Sequence, residues 1–168
     1  TPHSMDAWIG LGSNLGNPGA QLQEALAQLK HAAGIELKKI SGFYRTAPWG
    51  TLDQDDFLNA VAMVETELQA SELLDVLLQI EQQMGRDRSA GRWGPRFIDL
   101  DLLSYDDLVM KSPRLEIPHP RMHLRAFVLR PVLELDPEFM IAGKRSAKEC
   151  LSALDDQDVE YIGSFNEQ

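Results

Sequence analysis

The stretch Ile98-Asp99-Leu100-Asp101-Leu102 alternates aliphatic and acidic side chains, and a period of two is what a β-strand sorts onto opposite faces. The strand read over Phe97 to Ser104 has one wholly aliphatic face, which has to be covered by another layer of structure. Its other face carries two carboxylates whose Cα atoms lie roughly 6.6 Å apart. Left alone in a half-buried position the two would repel and one would take up a proton, whereas a divalent cation that prefers hard oxygen ligands lets both stay ionised. Mg²⁺ is the expected ion. Because it takes only one or two protein carboxylates, its remaining ligands are expected from water and a nucleotide's phosphates.

Directly before this strand, "RDRSAGRWGPRF" places Arg86, Arg88, Arg92 and Arg96 within a short loop. Their planar, permanently charged forks match phosphate oxygens two at a time. The chain as a whole is acidic, with a formal charge of −10 and a pI near 4.8, so the cluster is a local device rather than part of a nucleic-acid-binding surface. Ser89, Gly91 and Gly94 loosen the loop, and Trp93 offers a flat surface that would cover a bound ligand on closure; the loop reads as a lid. The bland reading of a D-x-D strand is an exposed edge or an ion pair with nearby arginines, and that of an arginine loop is solvated surface. Contiguity of the two features within an acidic chain favours the metal–phosphate reading.

The 168 residues suit one domain, 1–168, with 43% hydrophobic and 25% charged residues. No apolar run approaches the ~18 residues of a membrane span, and no signal peptide is visible. Met5 reads as a native start, with Thr1 to Ser4 as an added remnant. The lone Cys150 excludes an internal disulfide and a cysteine-based zinc site, and suits a reducing cytoplasm.

Ala7 to Leu11 reads as a buried strand, followed by a helix with Asn17 as N-cap, Pro18 at its first position and Gly34 as left-handed C-terminal cap. Residues 35–45 suit a strand with a bulge near Ser41-Gly42, 46–56 a loop, and 57–68 a second strand. A helix runs from Ser71 to Gly85. After the strand ending at Ser104 come a turn at Tyr105-Asp106-Asp107, an irregular edge over 108–117, a helix over 120–135 disturbed by Pro131, and a short helix over 146–154. Strand, helix, strand, strand, helix, strand is the order of an α+β, ferredoxin-like βαββαβ sandwich, here with C-terminal helices and strands appended.

"GLGSNLG" over 10–16 misses the dinucleotide fingerprint by one residue and reads as a tight strand-to-helix turn; no P-loop occurs. His119 sits between two prolines, either aimed at a phosphate or base or bonded to nearby backbone. Arg125 could face a pocket while Arg121 is solvated. Phe57 and Phe127 default to the core, but Asn59, mid-strand among apolar residues, needs partners. Two aromatics with an amide would hold a flat ring with polar edges.

"GRDRSAGRWGPRFIDLDLL", "GLGSNLG", "FYRTAPWG", "DFLNAV" and "IPHPRMHLRAFVLRPV" together resemble the 6-hydroxymethyl-7,8-dihydropterin pyrophosphokinases of folate biosynthesis over roughly residues 7–140. The resemblance implies transfer of the terminal diphosphate of ATP to a pterin hydroxymethyl group with release of AMP. Charge, hydropathy and cysteine usage add the expectation of a cytoplasmic protein with small-molecule substrates, no nucleic acid and no membrane, and a monomer is expected. It implies two Mg²⁺ ions on Asp99 and Asp101, with Arg86 and Arg96 as catalytic arginines on the phosphates. Arg88, Arg92 and Trp93 match the lid, and Glu81, Leu102, His119 and Arg125 match ATP-contacting positions. Thr46, Pro48, Trp49, Phe57, Asn59, Asp99 and Phe127 match the pterin site, with Phe57 where many members carry tyrosine. The tail from about Pro137 matches no motif. Other classes remain: a nucleotidyltransferase with the same carboxylate pair, an RNA-binding module, which the acidic pI disfavours, and a ligand sensor, which would not need two carboxylates beside four arginines.

Overall fold

The computed structural model describes residues 4–14, 17–46, 57–86, 98–143 and 146–165, with residue 86 described by its backbone alone. Strand β1 (Met5–Ser13) buries Ala7, Trp8, Ile9 and Leu11, side chains from both of its faces, as a strand in the middle of a covered sheet must. Helix α1 (Pro18–His31) starts as its sequence dictates: the Asn17 carboxamide oxygen accepts the Ala20 N–H at 3.2 Å, and a proline opens the first turn. Its end differs from expectation. Ala32 is the C-cap, in extended conformation, and Gly34, at φ +83°, instead turns the chain into the next strand, where a Cβ would meet the Leu68 side chain at 3.0 Å.

The strand expected over 35–45 is two, β2 (Ile35–Ile40) and β3 (Phe43–Thr46), both paired antiparallel with β4 (Phe57–Thr66). The register irregularity lies between Leu37 and Lys39, and Ser41-Gly42 is the break between the strands. Ser41 anchors that break by accepting the Val61 N–H on its hydroxyl and donating its own N–H to the Val61 carbonyl, each at 2.9 Å. Glycine is required next to it, because a Cβ on residue 42 would lie 2.6 Å from the Gly163 carbonyl oxygen.

Helix α2 (Ala70–Arg86) leads toward β5 (Asp99–Tyr105), which pairs with β1. Two-residue strands β6 (Met110–Lys111) and β7 (Glu116–Ile117) form a separate hairpin in the segment expected to be irregular. The helix expected over 120–135 is shorter: a 3-10 turn over Met122–Leu124, then an extended Arg125, then α3 (Ala126–Leu135), which carries Pro131 within it. Helix α4 (Ala147–Ser152) is capped by the Ser146 hydroxyl. The tail, unmatched in sequence, supplies β8 (Glu160–Gly163), which pairs antiparallel with β3 and brings Glu160 onto Arg45.

Among the described residues these strands form a six-stranded antiparallel sheet in the order β5-β1-β4-β3-β8, with β2 also on β4. Helices α1 and α2 cover one face, burying Leu22, Leu29, Leu73 and Leu77 against Ile9, Leu11, Ala62 and Leu100. The appended elements cover the other face, where Leu129, Val132, Phe139 and Ile141 pack on Trp8, Val61 and Leu103. Glu134 ties α3 to the sheet, accepting the Gly42 N–H at 3.2 Å and the Tyr44 hydroxyl at 2.7 Å. Burial and that carboxylate push the Tyr44 hydroxyl well above the usual tyrosine range, so it remains a donor at any working pH. Among the described residues no helix is long and apolar enough to cross a membrane.

Leu29 is fully buried between α1 and the sheet, whereas Leu78 on α2 is 45% exposed. Leu29→Ala is expected to cost about 2–5 kcal/mol and Leu78→Ala less than about 0.5 kcal/mol, read from urea unfolding midpoints.

Candidate active site

Strand β1 lies between β4 and β5, and its register brings Gly12 opposite Asn59 on one side and Asp99 on the other. Tyr44 on β3 faces Asn59, and Tyr161 on β8 faces Tyr44, so Asp99, Gly12, Asn59, Tyr44 and Tyr161 form one row across five strands. Paired residues share a sheet face, so the row lies on the side that α3 and α4 cover. Two residues along, Gly10 pairs with Val61 and Asp101. Gly10 and Gly12 therefore belong to the strand, not to the tight turn read from "GLGSNLG". They are small because side chains there would occupy the space between Asn59 and the aspartates: a Cβ on Gly12 would sit 2.7 Å from the Asn59 Oδ1. Gly16 lies outside the described residues.

The absent side chains leave a cavity of about 530 Å³ over this floor. Thr46, Phe57, Asn59, Asp99, Asp101, Arg125 and Phe127, drawn from four separate segments, all line it. Asn59 is buried at 9% exposure, and its Nδ2 makes no hydrogen bond among the described residues. A buried donor left without a partner costs roughly 1–3 kcal/mol, so a ligand with an acceptor on its edge would find a matching group here. Phe57 and Phe127 are half-buried rather than core residues. The Arg125 guanidinium lies 5.6 Å from the centroid of the Phe127 ring, a cation–π distance that fixes its direction.

A second cavity of about 300 Å³ is lined by Leu100, Asp101, Leu102, Arg114, Leu115 and His119 among others. Asp101 thus belongs to both cavities. The backbone N–H of His119 donates to the Leu103 carbonyl at 2.9 Å, and the ring Nδ1 accepts the Arg121 backbone N–H at 3.1 Å. With Nδ1 an acceptor, the proton of the neutral ring resides on Nε2. Burial lowers the His119 pKa below its ordinary value, against an upward pull from the Asp101 carboxylate, which favours that neutral ring. The turn-histidine reading and the pocket reading are therefore compatible: one nitrogen is bonded to backbone while the residue lines a cavity. Arg121 is exposed.

Glu81 lines neither cavity; its Oε2 accepts the Leu100 N–H at 2.7 Å and so holds β5 between the two aspartates. Arg88, Arg92, Trp93, Arg96, Pro48 and Trp49 lie outside the described residues, as does the Arg86 side chain at the end of α2. Among the described residues no cluster of three or more His, Cys, Asp or Glu side chains stands ready to hold a metal ion. Sequence reasoning missed the glycine floor, legible in hindsight as two glycines at a spacing of two within an apolar strand. It also missed Asp156, Gln157 and Asp158, which line the larger cavity and carry no local signal.

The profile of the 7,8-dihydro-6-hydroxymethylpterin-pyrophosphokinase (HPPK) family matches residues 8–137. The chain belongs to the HPPK family. It is 44% identical over 156 residues to a 2-amino-4-hydroxy-6-hydroxymethyldihydropteridine pyrophosphokinase of Methylorubrum extorquens, covering 93% of this chain and 98% of that one. To the Haemophilus influenzae protein of the same name it is 41% identical over 152 residues, covering 90% and 94%. Among solved structures, wild-type HPPK-DHPS of Plasmodium falciparum with pteroate superposes with a TM-score of 0.71 over 90% of this chain at 14% identity, a likeness of fold. This chain spans 44% of that longer one.

Within this HPPK fold the glycine floor has a direct test. Gly12→Ala is expected to displace the Asn59 amide and cost about 1–3 kcal/mol, while Gly10→Ala, whose Cβ meets Leu103 at an ordinary 3.5 Å, is expected to cost less. Thermal unfolding and the Asn59 side-chain NH₂ resonances would report both effects.

Proposed function

We propose that the chain transfers the terminal diphosphate of ATP to the hydroxymethyl group of 6-hydroxymethyl-7,8-dihydropterin, giving AMP and the pterin diphosphate in folate synthesis. The observation that carries this reading is Asp101, a carboxylate shared by two cavities on the strand that also bears Asp99. In this arrangement a donor in one cavity and an acceptor in the other would meet at the carboxylate pair. The larger cavity suits the pterin: Phe57 and Phe127 for the faces of a flat ring, the Asn59 amide for its polar edge, Thr46 at its rim. The smaller suits part of ATP, beside Leu102 and His119.

The donor set fits magnesium. Asp99 and Asp101 offer hard oxygens from one strand face, the first exposed and the second half-buried, and the glycines beside them leave room for further ligands. Two Mg²⁺ ions held by Asp99 and Asp101 would neutralise the triphosphate and polarise the phosphorus under attack. In our reading ATP binds first. Arg86 and Arg96 hold the phosphates, Arg125 adds a third guanidinium, and Arg88, Arg92 and Trp93 close over the substrates to exclude water. The pterin hydroxyl oxygen then attacks the β-phosphorus, the bond from that phosphorus to the oxygen bridging to the α-phosphate breaks, AMP leaves with that oxygen, and the hydroxyl proton passes to solvent. Positioning and charge stabilisation carry the rate; no side chain is assigned as general base.

The sheet order β5-β1-β4 with β2 and β3 beyond it supports a ferredoxin-like core, onto which the C-terminal elements are added. We read the protein as a cytoplasmic monomer with small-molecule substrates only, a reading that the acidic charge and single buried cysteine support.

Incubation with ATP, Mg²⁺ and the pterin is expected to release AMP; release of diphosphate instead would make the chain a nucleotidyltransferase. Asp99→Ala and Asp101→Ala are each expected to lower AMP formation by at least about a hundredfold while far-UV circular dichroism stays unchanged. Chelation of divalent ions by EDTA is expected to stop turnover, and excess Mg²⁺ to restore it. Asn59→Ala is expected to raise the KM for the pterin about tenfold, corresponding to one lost buried hydrogen bond.

A further inference from the structure

We infer that Gln157 is a positioning residue for this reaction: its side-chain amide clamps the backbone on both sides of Arg125 and so aims Arg125 and Phe127 into the larger cavity. The inference rests on the functional reading just given. Helix α3 opens at Ala126 with Arg125 as its N-cap residue, and an arginine side chain, which has no acceptor, makes no capping bond there. The orphan Ala126 N–H is satisfied from 31 residues away, by the Gln157 Oε1 at 2.9 Å. The other half of the same amide, Nε2, donates to the Leu124 carbonyl at 3.0 Å. One side chain thus serves as donor and acceptor to the two residues that flank Arg125.

Arg125 needs such a clamp because it is the single extended residue, at φ −123° and ψ 106°, between a 3-10 turn and a helix. Neither element dictates its dihedrals, yet its guanidinium must lie over Phe127, and both residues line the cavity. Gln157 is itself held: its N–H donates to the Leu154 carbonyl at 3.1 Å, just beyond α4, and it lines the same cavity between Asp156 and Asp158. No other residue type in its place offers both functions at that reach. Alanine removes both bonds; glutamate keeps the acceptor for Ala126 and turns a second acceptor against the Leu124 carbonyl.

The test compares Gln157→Ala and Gln157→Glu with Ser146→Ala, which removes the cap of α4, a bond of the same kind outside either cavity. Steady-state rates of AMP formation are measured at a temperature where all variants are fully folded by circular dichroism. Expected for Gln157→Ala is a KM for the pterin raised about tenfold, with a smaller rise for ATP and kcat within about threefold, the signature of lost binding rather than lost folded protein. Gln157→Glu is expected to be impaired at least as much. Ser146→Ala is expected to keep both KM values while losing comparable thermal stability. A Gln157→Ala enzyme with parental KM values, or a Ser146→Ala enzyme with equally raised ones, overturns the inference alone. A parent protein that makes no AMP at all overturns the functional reading and this inference with it.

Discussion

The register between β1 and its two neighbours is the constraint on which the remaining architecture rests. Because side chains on a strand alternate, a slip of one residue would carry Asp99 and Asp101 under helices α1 and α2 and bring Leu100 and Leu102 into the cavity. That slip is heavily disfavoured, since it would bury two carboxylates in an aliphatic layer and expose leucines that are 4% accessible. The apolar packing of one face thus specifies where the carboxylates of the other must be. The glycines at positions 10 and 12 exploit the same alternation: residues between them and beside them fill the core, while they leave the opposite face hollow.

Where periodicity was strong, the fold was legible from sequence. Asn17, Pro18 and the leucine spacing of α1 announce that helix, and the alternation over 98–104 announces β5 with its aspartates on one side. Phe57, Asn59 and Phe127 stood out because an amide among apolar residues requires a partner, and they do converge on one cavity with Thr46 and Asp99. What escaped was set by long-range contact. Ser41 and Gly42 read as a bulge because nothing local shows that Tyr161 and Gly163 press on residue 42, or that Glu134 takes its N–H. Strand β8 escaped because four residues with mostly exposed side chains acquire strand character only by pairing with β3. The bond from the Leu100 N–H to Glu81 depends on a helix and a strand meeting, which spacing alone does not encode.

The C-terminal elements therefore do more than extend the core. Helix α3 brings Phe127, the residue before it supplies Arg125, and the segment after α4 lines the same cavity through Asp156, Gln157 and Asp158. Glu134, which accepts from Gly42 and Tyr44, fastens this layer to the sheet close to the row that contains Asn59.

Asp101 is a wall common to two cavities, and a shared wall makes them thermodynamically unequal to two separate sites. Any change in the charge or orientation of that carboxylate on filling one cavity would alter the field inside the other, so occupancies of the two would be linked by a single free energy acting equally in both directions. Affinity for a first ligand, measured alone, would then be a property of the half-filled molecule and not of one with both cavities filled.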